Sequence, residues 1–175
     1  GFLNLAKLIP FTSHLSGFDE GFIKTIFSFY TESEEYRLNN QEGICCLLYS
    51  LCLSHNIDII SIIMSAIEEF QSILMMMAQN PQGKDRCAFC SLCNALLICC
   101  FDGIDKFDRE VKEQLNNIGY QIIQFLYNNE VFFVLCDMAL NDDFFKVKVK
   151  AAWALAASSK FLPNEFLIDL IMNHY

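Results

Sequence analysis

Apolar residues recur along this chain at helical spacing almost from end to end. The clearest stretch is Phe107, Val111, Leu115, Ile118, Ile122 and Phe125, at steps of 4, 4, 3, 4 and 3. These steps draw one apolar face, and Asp108, Glu110, Lys112, Glu113 and Gln121 fall elsewhere on the surface. Breaks are written in turn residues: Asn80-Pro81-Gln82-Gly83, Asp102-Gly103, Asn128-Asn129, Asn141-Asp142-Asp143 and Pro163. The spacing predicts helices over 19–30, 34–54, 57–79, 84–101, 106–128, 130–140, 143–160 and 163–174, with a short one over 2–9. No connection exceeds a few residues, so residues 1–175 read as a single helical domain.

Short helices joined by tight connections form either a compact bundle or a stacked array. Three segments overlay on one another, beginning at Ile44, Ala88 and Ala151, so that Leu48, Leu92 and Leu155 coincide. The first two leucines are 44 residues apart, within the span of an armadillo or HEAT repeat. The next are 63 apart, which requires an insertion.

On these residues the chain resembles the armadillo family. Lys150-Ala151-Ala152-Trp153-Ala154-Leu155-Ala156 is similar to the third helix of an armadillo repeat. Gly21–Ile26, Ser65–Phe70 and Gly119–Leu126 look like the helix before it. The resemblance covers most of residues 19–175. It implies an all-α, armadillo/HEAT-like α-solenoid of about three imperfect repeats. It also implies a non-catalytic scaffold that presents a groove to a protein or peptide partner. The family's groove asparagine, two residues after the leucine, is kept at Asn94 and replaced by Ser50 and Ala157. A regular asparagine ladder, and recognition of nuclear-import signals, are therefore not expected. The competing architecture is a Bcl-2-like bundle that grips an amphipathic helix.

Composition narrows the choice. Hydrophobic residues make up 54% and charged residues 19%, with only 7 Gly and 3 Pro, as in a folded core and unlike a disordered chain. The net charge is −9, with 12 basic against 21 acidic residues. Nucleic-acid binding draws its affinity from Lys and Arg, so that class is disfavoured, as is an anionic membrane surface. The uncharged run Cys87–Phe101 has 15 residues, short of the roughly 20 that cross a bilayer. Gly1–Pro10 shows neither the charged start nor the small-residue cleavage pattern of a secretory signal. Nine cysteines, an odd number lying inside apolar runs, read as reduced thiols of a cytoplasmic or nuclear protein.

Candidate chemistry is sparse. Cys87-x-x-Cys90-x-x-Cys93 has the spacing of a cluster motif, but Leu97 and Ile98 stand where the fourth cysteine and the proline after it belong. Its i, i+3, i+6 spacing follows a buried helical stripe instead. His14, His55 and His174 are isolated, so no zinc site assembles locally; a Cys–His pair through space is left open. Glu32, Glu34 and Glu35 suit a helix start better than a hydrolytic pair. Met64, Met75, Met76 and Met77 suit packing better than an adaptable surface. No enzyme, metal or cofactor is expected.

Lys146, Lys148 and Lys150 form the basic cluster, with Trp153 three residues further on. The expected partner-binding residues are Asn94, Lys146, Lys150 and Trp153, and the alternative keeps Trp153 in the core. Phe161–Tyr175 is rich in apolar residues, Phe166, Leu167, Ile168, Leu170, Ile171 and Met172. Such an end is expected to be covered by a second copy, a further domain or a partner, as in a piece of a longer protein.

Overall fold

The computed structural model describes residues 19–32 and 34–174, and among these the chain is all-helical, with no strand. The helices are α1 (Glu20–Glu32), α2 (Glu34–Cys52), α3 (Ile57–Ser65), α4 (Ile67–Ala78), α5 (Gly83–Ile98), α6 (Arg109–Asn128), α7 (Val131–Asn141), α8 (Phe145–Ser158) and α9 (Asn164–His174). A 3₁₀ turn, Ile104–Lys106, precedes α6. The helix expected over 2–9 lies outside the described residues.

The starts of α3 and α6 carry polar side-chain caps. Asn56 accepts from the backbone N–H of Asp58 and Ile59 at the head of α3, and Asp108 accepts from Val111 at the head of α6. This cap starts α6 at Arg109, later than the apolar spacing alone predicts. The uninterrupted helix expected over 57–79 is corrected: it is two helices, bent by 75° at Ala66. No Gly or Pro marks the bend. Ser65 turns its hydroxyl back onto the Ile62 carbonyl, and the Ala66 N–H is shared between Ile62 and Ile63. The bend lets Ile59, Ile60 and Ile63 face the core on one line and Phe70, Ile73, Leu74 and Met77 on another.

The helices pack in rows. α2, α5 and α8 lie side by side, α4 packs behind α5, and α7 behind α8. α1 packs on both α2 and α4, and α3 packs on α6. One continuous apolar core runs through them, from Ile23 and Tyr30 to Ala154 and Leu162. Met77 is buried, and Met64, Met75 and Met76 are half-buried against this core.

Two close contacts fix the rows. Gly119 of α6 lies so near the end of α5 that a β-carbon there would stand 2.6 Å from Cys100 Cβ and 2.7 Å from the Phe101 ring. Arg86 of α5 holds Asp142 at 2.6 Å and the Asn80 carbonyl at 2.7 Å, tying the α4–α5 connection to the α7–α8 connection. The guanidinium keeps the Asp142 carboxyl below the usual range. At the C-terminal end, Phe166 of α9 stacks on Tyr127 of α6, whose hydroxyl donates to Asp169. Ile168 and Met172 are exposed, at 61% and 73%. The side chains of Leu167, Leu170 and Ile171 are not among those described.

Among the described residues no single helix is long and apolar enough to cross a membrane. α3 and α4 together have the length and composition, but the 75° bend separates them.

Candidate functional site

Three helices build a hollow beside Trp153. α8 buries Val147, Ala151, Ala154 and Ser158, which recur at steps of 4, 3 and 4. The small Ala151 and Ala154 let α8 lie close against α5. Trp153 stands two residues beyond Ala151, about 200° round the helix. It is therefore turned outward and is 72% exposed, which removes the core alternative for this residue.

Trp153 and Lys150 form one wall of a cavity of about 520 Å³. α2 supplies Cys45, Cys46, Tyr49 and Ser50 to the facing wall. α5 supplies the floor, including Cys90, Ser91 and Asn94. Lys150 donates from Nζ to Ser91 Oγ at 2.6 Å, and Ser91 donates in turn to the Cys87 carbonyl at 2.9 Å. Asn94 Oδ1 is buried and accepts no hydrogen bond among the described residues.

Three of the four expected site residues, Asn94, Lys150 and Trp153, thus line one cavity. Lys146 lines the next, a hollow of about 390 Å³ that shares Ala88, Ser91 and Lys150 with the first. Lys148 leaves the cluster: its ammonium donates to the Leu140 carbonyl at 2.8 Å. Cys46, Cys90 and Trp153, which the sequence overlay aligns, all line the 520 Å³ cavity, as do Ser50 and Asn94. Ala157, the third of the latter set, does not.

Sequence reasoning overlooked the α2 wall. Cys46 and Ser50 were legible from the overlay. Tyr49 was not, because its neighbours Leu47, Leu48 and Leu51 are all core.

Two thiols in this site, Cys45 and Cys90, are poor nucleophiles. Burial, reinforced by the Asp85 charge, pushes Cys45 up to about 12. Burial, with a contribution from Cys87, does the same to Cys90. A neutral thiol neither attacks nor ligates well. Cys90 instead points its sulfur at Met138, 3.9 Å away, and Cys93 is fully buried. Among the described residues no three His, Cys, Asp or Glu side chains are grouped to hold a metal.

His55 meets Cys99 through the backbone: its Nδ1 is 3.3 Å from the Cys99 carbonyl. The Cys99 thiol is pushed up by its hydrogen bond with Cys100 and by burial. His14 lies outside the described residues, as do the side chains of His174, Glu32, Glu34 and Glu35.

No protein-family model, curated protein sequence or solved structure matches this chain. Its class is therefore defined by fold and site alone: a chain all-helical among the described residues, with a thiol-lined hollow bounded by Lys150 and Trp153.

Proposed function

We propose that this chain is a non-catalytic interaction module that seats an extended segment of a partner protein across α2, α5 and α8. The architecture we infer is an armadillo- or HEAT-like solenoid of about three imperfect repeats. In this reading α2, α5 and α8 are the equivalent third helices. α1, α4 and α7 are the second helices, and α3 and α6 the first, so Gly119–Leu126, expected in the helix just before the third, falls in a first helix instead. The 63-residue spacing then finds its insertion in the longer connection after α5 and in α6, which has 20 residues against 9 in α3.

The observation that carries the reading is the convergence of equivalent positions, Cys46, Cys90 and Trp153, on one open cavity. An exposed tryptophan beside an apolar hollow is the residue type most enriched at binding hot spots. Catalysis has no support from the groups present. Ser91 gives its proton to a backbone carbonyl while receiving one from Lys150, so its hydroxyl is not poised to attack. Nine free thiols suit a reducing compartment, cytoplasm or nucleus.

The test is selection of displayed random peptides against the intact chain, with counter-selection against Trp153→Ala. Peptides that bind the parent and lose about 30-fold or more with the variant are expected. Recovered peptides that bind both proteins equally would sink the assignment of this groove. Small-angle scattering addresses the architecture separately: a solenoid gives an elongated profile and a bundle a compact one.

A further inference from the structure

The second hollow differs in character from the first. It is bounded by Gly83 and Lys84 at the start of α5, by Ser91 on the same helix, and by Phe144, Lys146 and Lys150 from the α8 side. Three of the chain's 12 basic residues therefore meet at one hollow in a protein of net charge −9. No carboxylate lines it, and among the described residues Lys84, Lys146 and Lys150 enter no ion pair. Of the carboxylates nearest in sequence, Asp143 is exposed, does not line the hollow and enters no ion pair among the described residues, and the other two are engaged elsewhere. Asp142 is held by Arg86, and Asp85 is buried on the side of Cys45.

Like charges at i and i+4, as Lys146 and Lys150 are, repel each other on a helix. With 21 acidic residues in the chain, leaving all three lysines without a carboxylate favours an outside anion. Lys150 uses one N–H on Ser91 and keeps two more. At the head of α5 the Asp85 and Arg86 N–H groups both turn to the Gln82 carbonyl, and Gly83 and Lys84 are the first helical residues at this hollow. Gly83 presents bare backbone there, under the Phe144 ring: a β-carbon would come within 2.8 Å of that ring.

We propose that this hollow receives a phosphorylated serine or threonine of the partner segment whose apolar residue fills the cavity beside Trp153. The inference rests on the groove reading above, since the two hollows share Ala88, Ser91 and Lys150. A phosphoryl group carries close to two charges and three acceptor oxygens, matching several ammonium groups better than a carboxylate does. A long polyanion fits poorly, because the net charge of −9 repels it beyond this patch.

The test uses the intact chain and three sets of bead-bound peptides, random except for one fixed serine, glutamate or phosphoserine. The phosphoserine set is expected to bind about ten-fold tighter than the serine set. The variant Lys84→Glu should sharply reduce that preference and keep Trp153-dependent binding of the serine set, since Lys84 is exposed and does not line the cavity beside Trp153. Equal binding of serine and phosphoserine sets, with Trp153 dependence intact, overturns this inference and leaves the groove standing. No binding by any set overturns both. Glutamate peptides that bind as tightly as phosphoserine peptides overturn the phosphoryl assignment in favour of an acidic segment. A ten-nucleotide single strand that binds tighter than either overturns it in favour of nucleic acid.

Discussion

Lys150 Nζ reaches Ser91 Oγ at 2.6 Å across 59 positions of sequence. This bond joins α8 to α5 at the ridge between the two hollows, and both residues line both of them. It holds Lys150 in place while Lys146 stays exposed and Lys148 turns to the Leu140 carbonyl. Three alternate lysines on one helix thereby acquire three different surroundings.

Trp153→Ala should leave folding stability within about 0.5 kcal/mol of the parent, because the ring is 72% exposed. A buried tryptophan would cost about 3–5 kcal/mol. Urea denaturation of both proteins checks this, and the same variant should lose about 2 kcal/mol of peptide affinity. A large loss of stability would return Trp153 to the core.

Gly119→Ala should destabilise by about 1–3 kcal/mol, since a β-carbon would meet Cys100 and the Phe101 ring below 3 Å. Gly21→Ala is the control. Its β-carbon would approach only the Asp19 side chain, at 3.3 Å, so the gain in helix propensity should leave it neutral or stabilising. Thermal melts of the two variants should move apart, and equal shifts would refute the close α5–α6 contact.

Asp142→Asn should cost about 3 kcal/mol at neutral pH, because it strands the Arg86 guanidinium, which is only 13% exposed. The sign with pH follows from the lowered pKa of Asp142. Stabilisation by the pair is full above the unfolded value near 3.9 and is lost as pH falls through the lower folded value. Parent and variant should therefore converge below about pH 4. Denaturation at stepped pH measures this, and a gap that stays constant down to pH 2 would contradict it.

Thiol reactivity should divide in two. Cys52, Cys90, Cys93, Cys99 and Cys100 are buried, while Cys45, Cys46, Cys87 and Cys136 are half-buried. A bulky thiol reagent at neutral pH should modify at most the latter four in the native protein and all nine after unfolding. Elemental analysis of the purified protein should find no stoichiometric zinc or iron. Early reaction of Cys93 or Cys99, or a bound metal, would count against the packing described.

Much of the helical order was legible in the chain because helix formation is local. A 3.6-residue apolar period and turn residues such as Asn80-Pro81 and Asp102-Gly103 act within one or two turns. The same local pattern aligns Cys46, Cys90 and Trp153 as equivalent positions. It did not reveal the bend at Ala66, where no turn residue stands and the gain comes from two apolar faces meeting different neighbours. Nor did it decide which side of α8 is buried. Val147 and Ala151 offer one apolar stripe and Val149 with Trp153, also four residues apart, another, and sequence ranks them by hydrophobicity, which favours tryptophan. Packing ranks them by fit: only the small stripe lets α8 lie against α5, so alanines fill the contact and the largest side chain of the helix faces outward. The bond from Lys150 to Ser91 and the tie from Arg86 to Asp142 span 59 and 56 positions, and at that distance only the folded rows bring the partners together.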